Sequence, residues 1–317
     1  MISQTRRPPF WNAWGWRLIG VALLVLIIWH VGVRDIAGVV LQVRPLAIVV
    51  ASALVAALLL LRSLRWWVLC SSLDIRLKPQ EAIRFYLLGA FVGAATPGRV
   101  GDIIKAYYVR NRLAKGGLAA AIASVVYDRL LDLGQTGALA LGALSTLPWV
   151  GRQWGPTLVA VGLGGFFLTT VWSPTRKGLL AMPLGWALRR LPGSDGVVPP
   201  APPAGKLVMA HLLTLGALVC FAAATVTLAR GLGIVQPTWW SLSVLAAMGA
   251  LVGLLPITIF GIGTRDALFV AAAPGLGVAP ESLLGLSLLL LAMYGLGGIV
   301  GWGAWVLSPP ADRQPPV

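Results

Sequence analysis

The chain has 317 residues, 58% hydrophobic and only 11% charged, where a soluble domain carries roughly 25% charged residues. This excludes an ordinary soluble enzyme and identifies an integral membrane protein. The net charge of +15 would indicate nucleic acid in a soluble chain, but here the positive residues flank apolar runs. That pattern belongs to topology control and contact with anionic lipid headgroups, and no nucleic-acid partner is expected.

Residues 1–17 carry Arg6, Arg7 and Arg17 and read as a cytoplasmic N-terminal segment. Pro8-Pro9 and the lack of a small-x-small cleavage pattern favour a retained first span, Leu18 to Val33. A first membrane half then covers 18–191. Its second apolar run, Leu46 to Leu73, is interrupted by Arg62 and Arg65, which lie three apart and share a helix face. Two readings stand for this pair: snorkelling to an interfacial belt beside Trp66 and Trp67, or holding a lipid phosphate. Ile83 to Ala95 is too short to cross and runs into Thr96-Pro97-Gly98-Arg99-Val100-Gly101-Asp102, so it reads as a broken or re-entrant helix. The stretch from Arg99 to Lys115, with Lys105, Arg110 and Arg112, reads as an amphipathic helix on the cytoplasmic surface.

Gly117 to Leu147 is apolar yet carries Asp128, Arg129 and Asp132 at depth. The two aspartates lie four apart on one face, and Arg129 is within reach of Asp132. Such charges face a bundle interior, either as a structural ion pair or as a substrate contact. Gly155 to Trp172 is a span, and 173–191 reads as an interfacial helix. The proline-rich stretch 192–205 separates the second membrane half, 206–307, from the first, and 308–317 is a short tail. In the second half Lys206 to Leu228 and Trp239 to Leu255 are spans. A second break follows at Pro256 to Asp266, containing Gly261, Gly263, Arg265 and Asp266, before the glycine-rich span Ser282 to Leu307. The expected fold is all-α and polytopic, with about six to eight transmembrane helices, two of them Pro/Gly-broken or re-entrant, in halves related by an internal repeat.

Two breaks with an arginine and an aspartate, one per half, mark the candidate site. A helix ending at depth exposes unpaired backbone groups and a dipole end, and a guanidinium offers a rigid bidentate fork to phosphate. The candidate substrate-binding residues are therefore Arg62, Arg65, Thr96, Pro97, Gly98, Arg99, Gly101, Asp102, Asp128, Arg129, Asp132, Pro256, Gly261, Gly263, Arg265 and Asp266. Cys70 and Cys220 lie in separate apolar runs without partner spacing. His30 and His211 have no sequence partners, so neither a disulfide nor a metal site is expected. With no Walker-type loop, no cofactor is expected either.

Four stretches, Arg62-x-x-Arg65-Trp66, Thr96 to Asp102, Val126-Tyr127-Asp128-Arg129-Leu130-Leu131-Asp132 and Leu255-Pro256 through Arg265-Asp266, resemble in content and order the lysylphosphatidylglycerol synthase transmembrane (flippase-like) family. The resemblance covers roughly 15–307. The family usually has glutamate where this chain has Asp102, Asp128 and Asp266, so charge is kept while reach shortens by a methylene. Ile259-Phe260 stands where the family tends to have Pro-Gly. The resemblance implies a multi-pass bacterial inner-membrane protein that moves a phospholipid, hopanoid or polyprenyl-phosphate-linked sugar between leaflets. With only ten residues after Leu307, the aminoacyl-transferase domain fused to some relatives is not expected, and a transporter is expected in place of an enzyme. Two alternatives stand beside that expectation: a membrane enzyme acting on lipid-phosphate sugars, and a non-transporting partner subunit of a lipid-modifying enzyme.

Overall fold

The computed structural model describes residues 10–94, 96, 101–109, 117–146, 151–171, 185, 201–255, 258 and 261–307. Within them the chain forms eleven α-helices. These are α1 (Phe10–Val31), α2 (Val33–Leu41), α3 (Pro45–Ser72), α4 (Pro79–Ala94), α5 (Ile104–Val109) and α6 (Gly117–Ala140). They continue as α7 (Gly155–Val171), α8 (Ala204–Gly231), α9 (Trp239–Val252), α10 (Thr264–Leu276) and α11 (Pro280–Leu307). The interfacial helix expected over 173–191 lies outside the described residues except for position 185. So do Arg110, Arg112 and Lys115, most of the proline-rich linker, and the tail.

Boundaries follow local chemistry. Pro45 opens α3, where its missing N–H costs nothing. Thr238 caps α9 by accepting the Ser241 N–H at 3.1 Å. Gly32, at φ 101°, takes a conformation that side chains resist and turns α1 into α2 through 85°. Among the described residues three helices, 45–72, 204–231 and 280–300, are long and apolar enough to cross a bilayer, and the bent pair 20–41 adds a fourth if it crosses as one broken span. Reaching the expected six to eight crossings would also require α7 and α9, which are shorter, and α6. The last has 24 residues, ample for a bilayer at about 1.5 Å per residue, but carries three charges.

Burial is reversed relative to a soluble protein. Leu26, Trp29, Leu46, Val219, Leu296 and Val300 face outward, whereas Arg65, Lys105, Asp128 and Asp266 are completely enclosed.

The centre is the antiparallel pair α3 and α8. Lys206 Nζ donates to Ser71 Oγ at one end (3.2 Å), and Arg65 Nη1 to Thr214 Oγ1 in the middle (3.3 Å). At the other end the Arg44 N–H donates to the Gly231 carbonyl (3.1 Å). A Cβ on Gly231 would collide with the Cβ of Ala47, so the close approach requires glycine. Gly231→Val is expected to force this end apart at a cost of about 1–3 kcal/mol, measurable as a lower melting temperature of the detergent-solubilised protein.

Packing around this pair repeats. Helix α3 lies on α4 and α8 on α9; α5 lies on α6 and α10 on α11. Across the centre α4 meets α11 as α9 meets α6, and α2 flanks α11 as α7 flanks α6. The halves α2–α6 and α7–α11 therefore carry the same helix order, so in the packing α7 groups with the second half and not, as the proline-rich division at 192–205 suggested, with the first. Because their leading long helices run antiparallel, the relation is an inverted repeat about a pseudo-twofold axis.

Candidate functional site

The first break is shaped by α4. After Ala94 the chain turns back, and Thr96 ties the turn: its hydroxyl donates to the Gly93 carbonyl (3.0 Å) and accepts the Gly101 N–H (2.7 Å). Gly101 must be small, since a Cβ there would sit 2.6 Å from the Val92 carbonyl oxygen. On α4, Gly93 and Gly89 are notches. A Cβ on Gly93 would meet the Asp102 carboxylate at 2.6 Å, and one on Gly89 would strike the Lys105 side chain. The two glycines thus let charged residues of the returning chain pass beside α4 towards the centre.

There they meet α3 and α6. Asp128, fully buried, accepts from Arg65 Nε at 2.8 Å and from Lys105 Nζ at 2.9 Å. Arg65 also reaches Asp132 at 3.4 Å and Thr214 on α8. Arg62 pairs with Asp132 at 2.9 Å. Arg129 pairs with Asp102, and its distance to Asp132 is 3.8 Å. Lys105 Nζ additionally lies 4.5 Å from the Tyr86 ring centroid and 5.4 Å from that of Trp66. Four cations and three carboxylates share this network, leaving one positive charge unbalanced among the described residues. At low dielectric an unmatched charge is costly.

The second break is more compact. Gly263, at φ 87°, presents its N–H to Asp266 Oδ2 at 2.9 Å, so the carboxylate caps the start of α10. Asp266 Oδ1 accepts from Ser287 Oγ (2.6 Å) and from Arg265 (3.1 Å), while Arg265 Nε donates to Ser287 Oγ (2.8 Å). Arg265 and Asp266 form a locally neutral pair.

Both assemblies face a single cavity of about 150 Å³. Arg62, Tyr86, Thr96, Arg129 and Asp132 line it from the first half, and Thr258 and Arg265 from the region of the second break. The structure thus brings together most of the residues singled out by sequence. Gly101, Asp102, Arg65, Asp128, Gly261, Gly263 and Asp266 support this lining from behind. Pro97, Gly98, Arg99 and Pro256 lie outside the described residues.

Several expectations are corrected or extended. Arg65 does not snorkel: it is fully buried, and Trp66 beside it is enclosed, not interfacial. The surface-helix reading fails for the described part of 99–115, because Lys105 points inward while Ile103 and Tyr107 are exposed. Sequence reasoning passed over Lys105 as a network member. The signal available was the glycine pair Gly89 and Gly93, four apart on one face of the preceding helix. His211 also has partners: its Nδ1 is 3.0 Å from Gln135 Nε2 and its Nε2 is 2.7 Å from Thr170 Oγ1, a polar knot joining α6, α7 and α8.

A family model for the lysylphosphatidylglycerol synthase transmembrane region matches residues 17–301. No curated protein matches the chain.

Proposed function

This chain belongs to the lysylphosphatidylglycerol synthase transmembrane family, and we propose that it translocates a phosphate-bearing lipid or lipid-linked sugar between the leaflets of the bacterial inner membrane. What supports this reading most is the cavity, in which Arg62 and Arg129 of one half and Arg265 of the other line a common space inside an apolar bundle. Guanidinium groups held at membrane depth by aspartates are expensive to bury and suited to binding phosphate. In this reading Arg62, Arg129 and Arg265 receive the headgroup phosphate. Asp102, Asp132 and Asp266 fix those forks in place, and the unbalanced positive charge of the first-half network is matched when the anion arrives. The protein acts as a transporter without covalent chemistry, driven by an ion gradient, the membrane potential or the lipid gradient. Its N-terminus faces the cytoplasm.

Purified protein in proteoliposomes is expected to flip at least one lipid from a panel of fluorescent phosphatidylglycerol, a hopanoid-linked phosphate and a polyprenyl-phosphate sugar, read as headgroup access to an impermeant quencher. Loss of one charged hydrogen bond is worth about 1.5–3 kcal/mol. Arg129→Ala and Arg265→Ala should therefore each slow flipping by about ten- to a hundredfold. Parent rates in both folded variants, or no flipping of any panel lipid, would overturn the proposal.

A further inference from the structure

The inverted repeat permits a position-by-position comparison of the cavity's two walls, and they differ in chemistry. The repeat fixes the register through packing. Asp102 is held by Arg129 of α6, and its counterpart Asp266 by Ser287 of α11. Gly89 makes room for Lys105, and Gly249 for Phe269 and Arg265. Extended along the helices at a nearly constant sequence offset, this register pairs Arg62 with Phe221, Tyr86 with Ala246, and Asp132 with Leu290. All six of these residues line the cavity. Around them Arg65, Lys105 and Asp128 correspond to Ala224, Phe269 and Leu286, which are as fully buried and belong to one apolar cluster, Phe269 also reaching the cavity. Where the first half has an ion triad, the second has hydrocarbon. The same packing geometry is thus filled by apolar side chains in the second half.

We infer that the cavity is divided along its pseudo-twofold axis into two subsites for one amphiphile. The phosphate lies against the Arg62–Arg129 wall of the first half, and the hydrocarbon joined to it lies against the Phe221–Ala246–Leu290 wall of the second. The charge distribution gives the direction. Among the described residues the first-half network carries the unbalanced positive charge; Arg265, neutralised by Asp266 beside it, donates to the phosphate from the edge of the second wall and adds no net charge. Apolar contact is worth about 25 cal/mol per Å² of surface removed from water; a free phosphate gains nothing from it, so the second wall selects an anion bearing an alkyl or isoprenoid chain. The inference rests on the proposed lipid-binding role but not on transport.

The test uses photo-crosslinking of the full chain in nanodiscs with two hexadecyl phosphate probes. One carries a diazirine on the second carbon of the chain, the other a diazirine-bearing alcohol esterified to the phosphate. Excess unlabelled hexadecyl phosphate defines the specific signal, and labelled peptides are mapped by mass spectrometry. The chain probe should label 204–231, 239–252 and 280–307, and the headgroup probe 45–72 and 117–140. Inorganic phosphate should compete at least tenfold more weakly than hexadecyl phosphate. Leu290→Gln and Phe221→Ala should each reduce chain-probe labelling more than headgroup-probe labelling. The inference is overturned if both probes label one half, if the pattern is reversed, if inorganic phosphate competes equally, or if no labelling is competed. A protein that shows the expected pattern but flips no lipid would sustain the divided site while removing the transport proposal.

Discussion

Asp128→Asn is expected to lower stability by about 3–5 kcal/mol, because it leaves the Arg65 guanidinium and the Lys105 ammonium enclosed without their shared counter-ion. The readouts are a lower melting temperature in mild detergent and a reduced monodisperse fraction on gel filtration. The second half supplies the matching control. Arg65→Met, Lys105→Phe and Asp128→Leu together mimic the apolar filling by Ala224, Phe269 and Leu286, and should recover at least half of the lost stability. The triple variant should be inactive in lipid flipping, since the excess positive charge beside the cavity is gone. If it is as unstable as Asp128→Asn, the charges are needed to hold the fold, and their functional reading loses its main support.

Gly263→Val combines two penalties and should be the most damaging change in the second half. Gly263 has φ 87°, a region costly for any side chain and worst for a β-branched one. Its added Cβ would also drive into the Gly20 carbonyl of α1. The backbone term alone is about 1–2 kcal/mol, and the collision adds displacement of α1 or of the capped start of α10. Loss of the Asp266 cap follows if α10 moves, so flipping should fall further than stability alone requires. A comparison with Gly205→Val, where a Cβ meets nothing, separates the local effect from a general cost of placing valine near a helix start. A parent-like melting curve for Gly263→Val would show that α1 yields freely.

Membrane location, the all-helical architecture and the two breaks were legible because they depend on composition, run length and Pro/Gly chemistry. The common face of Asp128 and Asp132 followed from helical spacing, and Arg65 reaches both. What spacing could not supply was which partner comes from another helix. Arg129 is placed to pair with Asp132 in its own helix, but it pairs more closely with Asp102, carried in by the returning chain. Lys105 looked like a surface charge because periodicity along a six-residue helix cannot register a glycine notch in its neighbour. The chemical asymmetry of the walls was hidden for the same reason. It emerges only when Arg62 and Phe221, remote in sequence, are seen in equivalent places.

The antiparallel pairing of α3 with α8 also sets an order of events during synthesis. Arg65 and Asp128 are 63 residues apart and Lys105 and Asp128 only 23, so the ion triad is complete within the first half. Thr214, the partner of Arg65 on α8, lies 149 residues downstream. At roughly 5–20 residues per second that partner emerges roughly 7–30 s after Arg65. Until then one flank of α3 faces lipid or the insertion machinery. The triad lets the nascent first half neutralise most of its own charge and wait in the bilayer for the helix that completes the centre.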